Sequence, residues 1–172
     1  MKIKSFTESK TEFEDIDNLM NAIRHENIKL VILLIENGCD INKKDFAGNT
    51  ALMTSLYIIN LKISELLIKN GANVNIKDKY GNTPLLYCAQ RAYNYDVVDD
   101  IYVPIIKTLI EFGADWNIKD KNNHDFLYYL DDQFEGHGFI VRGNRDREEI
   151  INLYPEQYKE YLMKKNAEKY NL

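Results

Sequence analysis

Cysteine is scarce, with two in 172 residues, Cys39 and Cys88. Two cysteines build no disulfide framework, and their spacing is not that of a metal-binding set. The expectation is a reduced, intracellular setting, the cytoplasm, and a host's cytoplasm if the chain is viral. Histidine is nearly as rare. His25, His124 and His137 are linked neither by His-x-x-x-His nor by His-Glu-x-x-His, the spacings that bring metal ligands to one helix face. Long apolar runs are missing too. Leu30 to Ile35 is a short core-type run, far below the roughly 18–20 residues that span a bilayer. Met1-Lys2-Ile3-Lys4 leads into polar and acidic residues, not into the apolar core of a secretory signal. Positive charge is not in excess: the net charge is −5, which argues against general nucleic-acid affinity.

What is present is periodicity. Asp45-Phe46-Ala47-Gly48-Asn49-Thr50-Ala51-Leu52 returns 33 residues later as Asp78-Lys79-Tyr80-Gly81-Asn82-Thr83-Pro84-Leu85. Asn37-Gly38-Cys39-Asp40-Ile41-Asn42 returns at the same offset as Asn70-Gly71-Ala72-Asn73-Val74-Asn75. It comes back again, after 42 residues, as Phe112-Gly113-Ala114-Asp115-Trp116-Asn117. A fixed period of this length implies a stacked array, each unit burying its apolar face on its neighbours. With 45% apolar residues the chain can fill such a core, and its length suits one domain.

Each unit reads as turn, helix, loop, helix, turn. Asp45 to Gly48 is a turn signal. Thr50 can cap the first helix by accepting a backbone N–H, and Thr83-Pro84 does so with proline at the first helical position. Leu61, Ile63, Leu66 and Leu67 form a buried stripe on the second helix, and Gly71 ends it.

The segments Asn-Thr-Pro-Leu at 82–85 and Leu-Leu-Ile-Lys-Asn-Gly-Ala-Asn-Val-Asn at 66–75 resemble the ankyrin repeat. The resemblance covers about residues 12 to 130. It implies an all-α solenoid of about four helix-turn-helix units with β-hairpin fingers at right angles to the helix pairs, closed by a helical C-terminal cap. It also implies non-enzymatic protein binding through the concave face of finger tips and inner helices. By spacing, residues 1–11 are an N-terminal extension and 12–44 a first, capping unit with Asp17 in the place of Thr50. Units two and three are 45–77 and 78–119, the latter with an insertion near 91–102. Residues 120–153 form a degenerate fourth unit with Asn123 where Gly48 and Gly81 stand. Residues 154–172 are a C-terminal helix with Tyr154, Tyr158, Tyr161 and Leu162 on one face. The overall style, rich in Lys, Asn, Ile and Tyr, is similar to short ankyrin proteins of large DNA viruses or AT-rich bacteria.

No catalytic set emerges. Cys88 occupies the small-residue place of Ser55, and neither cysteine has a partnered base. Gly136-His137-Gly138 lacks the strand-to-helix setting of a dinucleotide loop. No cofactor, metal, membrane or nucleic-acid role is expected, and the chain is expected to be monomeric. The candidate contact surface is a row. Lys44, Lys77 and Lys119 each precede their unit's Asp, and Lys79 and Lys121 repeat two residues further on, so stacking aligns them into a basic ridge suited to an acidic partner. Phe46 and Tyr80 occupy the finger tips, Asn49 and Asn82 follow them, and Tyr57 and Arg91 extend the surface along the inner helices. Tyr93 and Tyr95 of the insertion are candidate anchors. The alternative is an adaptor that also docks a second partner through its C-terminal helix.

Overall fold

The computed structural model describes residues 8–94, 102–130, 151–152 and 155–170. The elements in chain order are α1 (Glu8–Arg24), α2 (Ile28–Glu36), α3 (Ala51–Tyr57), α4 (Leu61–Lys69), α5 (Pro84–Asn94), α6 (Tyr102–Glu111), α7 (Phe126–Leu130) and α8 (Pro155–Tyr170). Loops of three residues fold α1 onto α2 and α3 onto α4. α1, α3, α5 and α7 then pack each on the next as an inner row, and α4 packs on α6 behind them.

Local chemistry sets the helix starts. Thr50 adopts an extended backbone and its hydroxyl accepts from Met53 N–H at 3.4 Å. Thr83 repeats this with Leu86 N–H at 3.3 Å, and Asp125 accepts from Tyr128 N–H at 2.9 Å. Asn27 and Asn60 cap the second helices, accepting from Leu30 and Ile63 N–H, each at 3.1 Å. These two asparagines are also 33 residues apart, a third register mark of the repeat. α4 ends in a Schellman pattern: Gly71 N–H donates to Ile68 C=O and Ala72 N–H to Leu67 C=O.

Unit one departs from its expected layout. α1 does not start after a cap at Asp17; it runs through that residue, which is exposed, and begins at Glu8, across the expected boundary of the N-terminal extension. The segment upstream of Asp17 contains neither Gly nor Pro, so nothing in it stops the helix from extending.

The core runs the length of the stack. Leu19, Ile23, Leu52, Leu56, Ile63, Leu67, Leu85, Ile106 and Leu109 have no exposed surface. Each such side chain contributes roughly 1.5–3 kcal/mol relative to leaving it exposed. Leu61 and Leu66 are half-buried at the edge of the stripe. Ser55 and Ser64 are fully buried, their hydroxyls 2.8 Å apart and within reach of the Leu52 and Asn60 carbonyls, so one hydroxyl donates to the other and the second donates to its carbonyl. Cys88 is buried, and burial raises its thiol's pKa far above the usual range. Ile151, Tyr158 and Tyr161 pack, partly buried, against the core, while Met163 on α8 is exposed.

Among the described residues no strand forms, so the expected β-hairpin fingers are tight turns. The closure is local: the aspartate side chain takes two backbone donors of each turn, and its own N–H donates to the carbonyl four residues on.

Candidate functional site

The finger is the same turn built three times. Asp45 Oδ1 accepts from Ala47 and Asn49 N–H, both at 2.9 Å, while Gly48 N–H donates to Asp45 C=O. Asp78 Oδ1 accepts from Tyr80 and Asn82 N–H at 2.7 and 2.8 Å. Asp120 Oδ1 accepts from Asn122 and His124 N–H at 2.8 and 2.9 Å. In the third finger Asn123 holds φ 67 where Gly48 holds 82, as asparagine's tolerance of the left-handed region allows.

Side chains stitch one finger to the next. Asn42 Nδ2 donates to Gly71 C=O at 3.2 Å, and its Oδ1 accepts from Asn73 N–H at 2.7 Å. Asn75 repeats this one unit on, with Gly113 C=O at 2.9 Å and Asp115 N–H at 2.8 Å. Lys44 Nζ donates to Lys77 C=O at 2.7 Å, and Lys77 Nζ to Lys119 C=O at 3.4 Å. The three lysines thus form one row, and two of them are rungs of the stack. Their acceptors are neutral carbonyls, so their charge is not cancelled. Among the described residues, Lys44, Lys77, Lys79, Lys119 and Lys121 form no salt bridge.

At the tips, Phe46 is 90% exposed and Tyr80 57%. Lys79 Nζ lies 5.0 Å from the Tyr80 ring centroid and Lys121 Nζ 5.8 Å, so two ammonium groups share one ring. On the inner helices Tyr57 is 62% exposed, and the Arg91 guanidinium lies 5.3 Å from its ring centroid and 5.7 Å from that of Tyr87. Between these groups runs a groove of about 310 Å³, lined by finger residues Asp45, Ala47 and Asn49 and by Met53, Tyr57 and Tyr87 of the inner helices, among others. Arg24 sits at its edge, 3.6 Å from Asp45 Oδ2. Among the described residues the buried Tyr87 hydroxyl has no hydrogen-bond partner, and burial pushes its pKa up to about 12.

Asn82 turns inward. It is 9% exposed, its amide donates to Asp78 Oδ2 at 3.2 Å, and its carbonyl accepts from Gln90 Nε2 at 2.8 Å. Gln90 Nε2 also lies 3.1 Å from both Asp120 Oδ2 and the Tyr129 hydroxyl, and that hydroxyl donates to Asp120 Oδ2 at 2.8 Å. Burial works against the Asp120 charge, but bonds from His124 N–H, Tyr129 O–H and Asn122 N–H outweigh it and hold the pKa below the usual aspartate value. Tyr129 is shifted the other way, well above the usual phenol range, by burial and by its bond to Asp120. This network ties α5 to the third finger and α7. Its sequence signal was Asp120 itself, in register with Asp45 and Asp78.

Lys44, Phe46, Asn49, Tyr57, Lys77, Lys79, Tyr80, Arg91, Lys119 and Lys121 therefore share the finger and inner-helix side of the stack. Tyr93 lies in α5 but its side chain is outside the described residues, as is Tyr95 altogether. Trp116 is half-buried against the core. Among the described residues no group of three or more His, Cys, Asp or Glu could hold a metal ion, and no helix is long and apolar enough to cross a membrane.

Stacked helix pairs joined by repeated finger turns define a helical repeat solenoid. A family model for ankyrin repeats matches three copies over residues 19–120. The chain belongs to the ankyrin repeat family. Ankyrin repeats are generally protein–protein interaction modules, and the family is typically non-enzymatic. A search of the curated proteins returns no match.

Proposed function

We propose that the protein is a non-enzymatic interaction module, acting as a monomer inside the cell, that binds a partner protein bearing an acidic surface. The contact face is the finger and inner-helix side of units laid out at 12–44, 45–77, 78–119 and 120–153. The observation that carries this reading is the exposure of three large aromatic side chains, Phe46, Tyr57 and Tyr80, beside five lysines that pair with no carboxylate among the described residues. Exposed aromatics clustered on one face are anchors in search of a pocket or a partner surface. Uncancelled lysines speed encounter with an acidic partner and discourage basic ones.

The adaptor alternative is weaker for a stated reason. Tyr158 and Tyr161, the side chains that would dock a second partner, pack against this chain's own core. We assign α8 to covering the end of the stack, as a terminal unit requires.

The test is affinity capture from a lysate of source cells, read by mass spectrometry, with three forms of the protein. One is intact, one carries Phe46→Ala, Tyr57→Ala and Tyr80→Ala, and one carries Lys62→Ala and Glu65→Ala on α4. A protein held by the first and third and lost by the second is the expected result. A partner held equally by all three, or lost only with the α4 variant, would overturn the assignment of the face.

A further inference from the structure

The exposed aromatics and lysines stand beside a feature that neither supplies alone, the groove between the first and second fingers, built on Asp45 and Asp78, and the inner helices. Its walls are mostly apolar: Met53, Tyr57, Ile58 and the ring of Tyr87. Its two carboxylates are already committed. Asp45 Oδ1 holds its own turn and Oδ2 faces Arg24, while Asp78 Oδ1 holds its turn and Oδ2 takes the Asn82 amide. Each is adjacent in sequence to a ridge lysine, Lys44 beside Asp45 and Lys77 and Lys79 on either side of Asp78. Those ammonium groups contact only neutral acceptors or rings in the bonds described above. The aspartates of this apolar slot thus adjoin, in sequence, lysines that pair with no carboxylate among the described residues. At about 310 Å³ it stands at the low end of ligand-pocket volumes, roughly 300–1,000 Å³, which suits one anchoring side chain better than a large ligand.

We infer that this groove seats a bulky apolar side chain, phenylalanine or leucine, of a short acidic segment of the partner protein, with carboxylates flanking the anchor on the lysines. The inference rests on the protein-binding role proposed above and specifies its chemistry. Tyr57 forms the open wall of the slot, and Arg91 over its ring holds that wall in place.

The experiment is an amide chemical-shift titration of the full chain. The probe is a synthetic octapeptide of glutamate and aspartate with one central phenylalanine. A second peptide has alanine in place of phenylalanine, and a third keeps phenylalanine with every acidic residue amidated. The first should move amides in the first and second fingers and along α3 and α5. The second and third should each bind about tenfold more weakly, as should the first peptide with the Tyr57→Ala protein, since loss of one buried anchor commonly costs that much. Tyr57 is mostly exposed, so its replacement leaves the stack folded. Equal binding of the phenylalanine and alanine peptides, with shifts confined to the lysine ridge, would overturn the groove. Tighter binding of an oligothymidylate than of the acidic peptide would overturn the occupant. A protein captured from lysate through the concave face, together with no peptide binding, would overturn this inference while leaving the module's general role standing.

Discussion

Gly48 and Gly38 make a matched pair for measuring how tightly the fingers stack. Their φ angles are 82 and 83, so alanine at either meets the same left-handed strain. That strain costs roughly 1–2 kcal/mol, partly offset by about 0.4–1 kcal/mol from the lost freedom of the unfolded glycine. The surroundings differ. A Cβ on Gly38 meets nothing within 4 Å, whereas one on Gly48 lies 3.2 Å from Lys79 N and 3.5 Å from Lys79 Cβ on the next finger. Backbone nitrogen cannot swing away as a side chain can, so the neighbouring finger must shift by a few tenths of an ångström, at a cost of about 1–2 kcal/mol. Gly38→Ala should therefore lose about 1 kcal/mol and Gly48→Ala about 2–3 kcal/mol. In thermal terms that is about 2–4 °C against twice to three times as much. Urea unfolding followed by circular dichroism gives both values, with unchanged m showing that the same cooperative unit melts. Equal losses would refute the reasoning, since the inter-finger contact would then impose no constraint.

Asn75→Ala removes two bonds between fingers, to Gly113 C=O and from Asp115 N–H, and should cost about 1–2 kcal/mol. The direct readout is amide exchange at Asp115, which should accelerate; an Asp115 amide as protected as before would count against the stitching role. The Asp120 network predicts a signed pH response. The folded pKa of Asp120 lies below its unfolded value, so its stabilisation is complete above about pH 4 and is lost as pH falls through the folded value. The urea midpoint of the native chain should fall along this acid limb, and Asp120→Asn should flatten the fall. Parallel acid limbs would remove Asp120 from the account. Tyr129 carries the opposite sign, with its contribution intact below about pH 10 and lost as pH rises through its elevated folded value.

The repeat was legible because each register mark has one physical job. Asp45, Asp78 and Asp120 recur because their side chains close the finger turn, and Thr50, Thr83 and Asp125 because a helix start needs an acceptor. These demands act within a few residues, so they leave a local signature. Asn123 could be placed at a glycine site for the same reason. The start of α1 was not legible, because helix continuation upstream of Asp17 is set by the absence of a breaker and not by a signal. The finger strands were expected from family resemblance, and the aspartate bonds close the turns found instead. The lysine row followed from stacking alone. The groove, the inward turn of Asn82 and the Gln90–Asp120–Tyr129 network did not, because they join residues of different units. A period tells which residues are equivalent; it does not tell which side chains of successive units converge.

That distinction bears on how the ridge should be tested. Lys44 and Lys77 look like free surface charge in the sequence, but each also donates to the next finger's backbone. Charge reversal at Lys44 would set a carboxylate against the Lys77 carbonyl, adding repulsion inside the stack to the loss of charge outside it. A partner lost from such a variant could have been lost to a loosened face. Lys79 and Lys121 do not share this ambiguity, since they share the Tyr80 ring and hold no carbonyl in the bonds described. Replacing them by alanine removes two charges from the same ridge and leaves both lysine rungs in place. If electrostatics governs recognition, Lys79→Ala with Lys121→Ala should slow association and reduce its salt dependence while unfolding midpoints stay within about 0.5 kcal/mol of the native chain. If only the Lys44 and Lys77 variants lose the partner, and lose stability with it, the row serves the stack first and its charge is incidental to binding.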